Sequence, residues 1–109
     1  MILSTIRMVI PPKRRDDALR ILRLLTEQCR DHLGCHSCRI YGDLQEKNVL
    51  MFEEIWRNEK DLDLHIRSDD YLNLLLVVEM SLTQPEIRFD TISSSKGIET
   101  IEKARGHAK

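Results

Sequence analysis

Glu54, Trp56 and His65 are the residues whose types and spacing best fit acid–base chemistry in this sequence. Alternation along a strand places Glu54 and Trp56 on the same face. A helix that folds back over that face brings His65 above them. A carboxylate beside an imidazole orients the ring and raises its basicity. The segment therefore predicts a pocket in which His65 takes a proton from an acidic phenol or enol, with Glu54 orienting it.

The same three residues also fit a purely structural role. A hydrogen bond between Glu54 and His65 would fasten the helix to the sheet, and Trp56 would fill the core beneath them. The sequence leaves the catalytic and the structural interpretation open.

A metal site is suggested by five sulfur and nitrogen ligands that lie close together, namely Cys29, His32, Cys35, His36 and Cys38. Zinc sites favour a Cys-x2-Cys pair together with a second, distant pair. Cys35 and Cys38 are three residues apart on a predicted strand, so we expect them to face opposite sides. No second pair with ligand spacing follows in the sequence. We predict no metal, with Cys29 and Cys38 packed as small apolar side chains.

Length and charge limit the classes of function. The 109 residues predict one domain, and 17 basic against 18 acidic residues give a net charge of −1, which argues against nucleic acid or an anionic membrane as partner. The longest apolar run, residues 74–78, is too short to span a bilayer. The basic cluster at 13–15 follows the apolar start, the reverse of a secretory signal. Three cysteines form no complete disulfide framework, so we expect a cytoplasmic protein.

Periodicity predicts the order β-α-β-β-α-β, an α+β ferredoxin-like arrangement with helices on one face of an antiparallel sheet. The predicted strands cover residues 2–10, 36–43, 49–57 and 86–92, and the predicted helices cover 13–32, a segment after Asn58, and 71–80. We expect Gly34 to end the first helix. Asn58 is the expected N-cap of the next helix, with Asp61 at its third position, and Asp70 is the expected cap of the following piece. The uncovered sheet face should be apolar and should bind a partner.

Domain boundaries follow from the same pattern. Residues 1–92 are predicted to form the domain. Residues 93–109 are predicted to be a linker and C-terminal tail, with a short helix over 98–105. No glycine-rich loop supports a nucleotide or flavin cofactor, so no cofactor is predicted.

A set of short motifs along residues 1–92 has the pattern of a known family. They are Pro11-Pro12 after the first strand, Gly34-Cys35 before the second, Tyr41 and Asp43 at its end, Asn48 before the third, and Glu54-x-Trp56 followed by His65-x-x-Ser68. With these motifs the chain resembles the antibiotic biosynthesis monooxygenase family of dimeric α+β barrel proteins.

The resemblance implies a homodimer in which two sheets pack face to face into a barrel. It also implies a pocket in which a quinol, polyphenol or similar small aromatic is oxidised by O2 without metal or flavin. His65 would be the catalytic base and Glu54 its orienting partner. Trp56, Tyr41 and Arg39 would bind substrate.

Other activities on the same scaffold remain as alternatives. Haem-degrading relatives carry an Asn, a Trp and a His at positions held here by Ile6, His65 and Leu75, so haem cleavage is not expected. A non-catalytic barrel that binds a small ligand or acts in a stress response is one alternative. An isomerase or decarboxylase that uses His65 as proton shuttle is another.

Overall fold

The computed structural model describes residues 1–106. Their strands are β1 (Ile2–Val9), β2 (Cys35–Gly42), β3 (Val49–Trp56) and β4 (Glu86–Thr91). Their helices are α1 (Arg15–Cys29), α2 (Glu59–Ile66), α3 (Asp69–Glu79) and α4 (Ile98–Ala104), with a 3-10 turn at Pro12–Arg14. This order confirms the ferredoxin-like α+β prediction. Residues 107–109 of the predicted tail lie outside the described part.

The sheet is antiparallel, with the strand order β2-β3-β1-β4. The two central strands, β1 and β3, pair along their whole length, so that Ser4 lies opposite Glu54. On the other side of β1, Ser4 lies opposite Phe89 of β4. A side chain at position 54 therefore projects from the middle of the sheet.

The core lies between one sheet face and the helices. Along β1 every second side chain is buried, as expected for a strand covered on one side. The α1 stripe that meets this face consists of Ala18, Leu22, Leu25 and Cys29, all buried. Helical periodicity in the sequence thus places Cys29 against the same sheet face as Glu54.

A β-bulge in β2 changes the direction of its first cysteine. Cys35 lies opposite Trp56 and Cys38 lies opposite Glu54, with an irregularity between residues 35 and 37. The extra residue shifts the alternation by one position. Cys35 and Cys38 therefore both lie on the helix-covered face, and the prediction that they face opposite sides was wrong.

The helix ends are partly as predicted. Asn58 caps α2 by accepting a hydrogen bond from the Asp61 backbone N–H at 2.9 Å, which confirms that prediction. Asp70 is not a cap, because α3 begins at Asp69, two residues earlier than predicted, with Ser68 at the N-cap position. Gly34 has φ +84°, and a side chain at this position would overlap the Asp61 carboxylate. Glycine is required there both by backbone conformation and by space.

The sheet face opposite the helices carries mixed chemistry. Its apolar side chains include Leu3, Met51 and Ile55, all half-buried, but Arg7 and Glu53 lie among them. The prediction of an apolar surface is therefore only partly met.

No helix within residues 1–106 has the length and apolar character needed to cross a membrane.

Candidate functional site

Glu54 is the acidic centre of the candidate site. Its position on a central strand beneath the helices leaves the side chain fully buried, at 0% exposure. Cys38 of β2 and Ser4 of β1 are its cross-strand neighbours. Because a buried carboxylate needs compensating partners, its contacts determine what the site can do.

His65 reaches Glu54 from α2. The Asn58 cap sets where α2 begins, and the helical repeat then turns Leu62 and His65 toward the sheet. The Ser68 hydroxyl donates to the His65 backbone carbonyl at 2.6 Å, which holds the helix end. His65 Nε2 lies 2.8 Å from Glu54 Oε2, a charge-assisted distance.

Aromatic rings hold the His65 imidazole in place. The Trp56 ring stacks on it with centroids 4.5 Å apart and an interplanar angle of 30°. Tyr71 and His32 meet the same imidazole edge-on, each with centroids 5.3 Å away. The ring orientation is thus set by packing on several sides as well as by the hydrogen bond to Glu54.

Cys29 completes the cluster, and sequence reasoning did not place it there. Its thiol Sγ lies 3.2 Å from Glu54 Oε2, to which it donates, and 4.0 Å from His65 Nε2. Cys35 Sγ is 3.6 Å from Cys29 Sγ. The α1 periodicity and the predicted sheet face contained the signal for Cys29, but spacing along the chain alone did not reveal it.

The cluster shifts the pKa values of its members. Burial lowers the pKa of His65, but hydrogen bonds to Cys29 and Glu54 and the Glu54 charge outweigh it and raise the value from 6.5 to about 9. A hydrogen bond to Cys38 and burial raise the pKa of the Cys29 thiol well above its ordinary value. Burial raises the pKa of Cys35 to about 12. Near neutral pH the metal-free cluster therefore pairs an imidazolium with a carboxylate, beside neutral thiols.

Several buried polar atoms have no hydrogen-bond partner within the described chain. They are Glu54 Oε1, His65 Nδ1 and Trp56 Nε1, together with Gln28 Oε1. Buried polar groups are normally paired. Two of these atoms belong to the Glu54–His65 pair, so the pair keeps one acceptor and one ring nitrogen for a further interaction.

The space beside this pair is a narrow void. Its walls include Cys29, Phe52, Tyr71 and Leu74, and it is too narrow at every point for a water molecule. Asp70 also lines it, and that side chain is half-exposed and pairs with His32 Nε2 at 3.1 Å. The site is closed around its reactive groups, with Asp70 marking the side nearest to solvent.

Arg39 and Tyr41 are not brought to this cluster. Their cross-strand partners, Glu53 and Met51, alternate with Glu54 and Phe52 along β3, so both project from the opposite sheet face. They line a separate groove of about 420 Å³ between α1 and the β2 edge, together with Arg15 and Arg23 of α1 and Arg30 at its C-cap. The structure thus unites three predicted site residues, Glu54, Trp56 and His65, and separates the other two.

The sequence profile of the antibiotic biosynthesis monooxygenase family matches residues 1–74. The chain belongs to this family. The matched part contains β1 to β3, α1, α2 and all four members of the Cys29–Glu54–Trp56–His65 cluster. Family membership supports a monooxygenase-type function for the chain.

Solved structures show the same fold. A crystal structure of an antibiotic biosynthesis monooxygenase has a TM-score of 0.77 at 19% identity and covers 86% of this chain and 100% of its own. A protein of Deinococcus radiodurans whose description carries the same family name has a TM-score of 0.81 at 15% identity, covering 90% of this chain and 98% of its own. A conserved protein of Methanosarcina mazei has a TM-score of 0.76 at 26% identity over 82% and 89% of the two chains.

A sequence relative is longer than this chain. An uncharacterized protein of Synechocystis is 30% identical over 59 residues, which is 54% of this chain and 40% of that protein. The match therefore spans less than half the length of the relative.

The cluster has two chemical capacities. A neutral His65 can accept a proton at Nδ1 while Nε2–H donates to Glu54. Alternatively, Cys29, Glu54 and His65 can each offer one ligand atom to a metal ion, since these three atoms lie within 4.8 Å of one another.

Proposed function

We propose that the protein is a cofactor-independent monooxygenase that oxidises a quinol, polyphenol or similar small aromatic with O2. The observation that carries the proposal is the buried Glu54–His65 pair, joined at 2.8 Å, in a chain of the monooxygenase family. In this chemistry the deprotonated substrate supplies the electrons, one oxygen atom enters the product, and the other leaves as water. The protein needs to supply a base, an oriented polar group and exclusion of water.

His65 is the proposed base, acting at Nδ1. When the ring is neutral, Nε2–H donates to Glu54, which leaves the Nδ1 lone pair without a partner among the described residues. Glu54 stabilises the imidazolium that forms on proton transfer. Since His65 has a pKa of about 9, its neutral form becomes more populated as pH rises toward 9. Proton transfer from a phenol should follow the same trend.

Substrate binding requires the void to open. Tyr71 and Leu74 of α3 form one wall, and Phe52 lies on the sheet side. Outward movement of α3 would widen the space between them without disturbing the β3 backbone. Arg39 and Tyr41 stay outside this space in one protomer, so their proposed role in binding is limited to the groove at the β2 edge.

Oxygen consumption tests the proposal. With a panel of hydroquinones, the wild-type protein should consume O2, and His65→Ala should lower the rate at least about tenfold, the lower range of what general bases contribute. His36→Ala, at an exposed position on β2, is the matched control and should keep the wild-type rate. No uptake across the panel, or equal rates for His65→Ala and wild type, would overturn the proposal.

The closed void supports a second candidate, a non-catalytic barrel that binds a small ligand. In that case Glu54 and His65 fasten α2 to the sheet, and no panel substrate supports O2 uptake. An isomerase or decarboxylase would instead exchange or release substrate atoms under anaerobic conditions. Parallel assays with and without O2 separate these outcomes.

The proposed assembly is a homodimer formed by the uncovered sheet faces of residues 1–92, with residues 93–109 as an appended tail. The three cysteines are free thiols, which supports a reducing, cytoplasmic location.

A further inference from the structure

Three different ligand types converge on one buried point in this fold. The thiol of Cys29, the Glu54 carboxylate and the His65 imidazole come from α1, β3 and α2, and all three side chains are buried. Their ligand atoms lie 2.8 to 4.0 Å apart. Sulfur, carboxylate oxygen and imidazole nitrogen are the donors that zinc-type ions take in proteins.

The distances lie within about half an ångström of those around a tetrahedral ion. With ordinary zinc bond lengths, pairs of different donors lie roughly 3.4–3.6 Å apart. Here Cys29 Sγ lies 3.2 Å from Glu54 Oε2 and 4.0 Å from His65 Nε2. The Glu54 Oε2 to His65 Nε2 distance is 2.8 Å. Shifts of about half an ångström in the donor atoms would complete the geometry.

Charge balance also favours a divalent ion at this cluster. A Cys29 thiolate and the Glu54 carboxylate carry two negative charges, His65 in its coordinating form is neutral, and a divalent ion brings the sum to zero. A neutral buried cluster avoids the cost of an unpaired interior charge. Without the ion, the Cys29 thiol proton and the His65 Nε2 proton join the three side chains through hydrogen bonds. The ion would replace both protons, which are released to solvent.

We propose that Cys29, Glu54 and His65 bind one zinc-class divalent ion as its three protein ligands. Coordination through Nε2 keeps the remaining ring proton on Nδ1, so the metal-bound protein has no base at His65. The ion is therefore an inhibitor of the proposed oxidation and not its cofactor.

Cobalt titration tests the site, because Co²⁺ has a thiolate charge-transfer absorption that reports sulfur ligation directly. The full chain is stripped with a chelator, kept under a non-thiol reductant and titrated with Co²⁺ alone. We expect a one-to-one endpoint with that absorption, reversed by Zn²⁺. Absence of a thiolate band, or an endpoint far from one ion per chain, overturns the proposal.

Variants assign the ligands. Cys29→Ser and His65→Gln should each weaken Co²⁺ binding at least about tenfold, as loss of a direct ligand does. His36→Gln, at an exposed position on β2, is the matched control and should bind as wild type does. Wild-type affinity in both Cys29→Ser and His65→Gln overturns the site.

A measurement on the wild type covers the case in which a variant fails to fold. Zn²⁺ should slow alkylation of Cys29, located by peptide mass mapping, while exposed His36 should keep its rate of modification by a histidine reagent. Equal Cys29 alkylation with and without Zn²⁺ contradicts the proposal. The Cys29 alkylation rate and the cobalt absorption do not depend on O2 uptake. The two measurements therefore test the metal site independently of the monooxygenase proposal.

Discussion

Glu54 is a buried carboxylate whose two oxygens have different surroundings. Oε2 accepts from His65 and from the Cys29 thiol, whereas Oε1 has no partner among the described residues. A buried carboxylate is stabilised chiefly by a nearby cation. The His65 charge is therefore part of what allows Glu54 to occupy the centre of the core.

This pairing makes the stability of metal-free protein depend on pH. The pKa of His65 is raised from 6.5 to about 9 in the folded chain. The contribution of protonated His65 to the free energy of unfolding is thus complete below about pH 6.5, where His65 is protonated in both the folded and the unfolded protein. This contribution is lost as pH rises through 9. Urea unfolding of chelator-treated protein between these values should show a falling free energy of unfolding. Glu54→Gln should show a flatter dependence, and a flat wild-type profile would contradict the prediction.

The sequence predicted some of the individual residues of the site. Strand alternation and helical spacing brought together Glu54, Trp56 and His65, because these periodicities are local. Cys29 was assigned to the core but not to the site, since its contact with Glu54 depends on how α1 crosses the sheet. That crossing is set by packing between distant segments, which spacing along the chain does not encode.

Among the elements, β2 shows best where sequence reasoning fails. The expectation of opposite directions for Cys35 and Cys38 assumed a regular strand. A single extra residue near His36 places both on the covered face. Nothing in the local composition marks this bulge, which becomes visible only in the pairing of β2 with β3.

Gly34 offers a test of how the α1–β2 turn is held. Its φ of +84° and its contact with Asp61 predict that Gly34→Ala destabilises the fold by about 1–3 kcal/mol. Gly42→Ala is the control, because nothing lies within 4 Å of its added methyl group, and it should change stability by less than about 0.5 kcal/mol. Chemical denaturation measures both. Equal effects for the two variants would mean that the Asp61 contact relaxes freely.

For the whole molecule, the decisive feature is the sheet face without helices. It holds Leu3, Met51 and Ile55 half-buried, with charged side chains interspersed. The strand pattern predicted that one face would be uncovered, since the sequence supplies helices for one side only. Alternation along β1 and β3 already places Arg7 and Glu53 on that face, so its mixed polarity follows from the sequence and the prediction of an apolar surface overlooked it.

Sedimentation of the full chain should show about twice the 12.8 kDa chain mass if this face forms the homodimer. Ile55→Lys places a charge on the face and should produce a monomer. Leu44→Lys, in a fully exposed loop position, should stay dimeric. A wild-type monomer at micromolar concentration would rule out the barrel assembly.

The chain contains a single tryptophan, and it is the ring stacked on His65 at 4.5 Å. All tryptophan fluorescence of the unlabelled protein therefore originates beside the imidazole. A proton gained by that ring, an ion bound to it or an aromatic molecule admitted beside it would each alter the emission in its own way. Trp56 is therefore an intrinsic fluorescent probe beside His65, where the catalytic, ligand-binding and metal-binding proposals for this site differ.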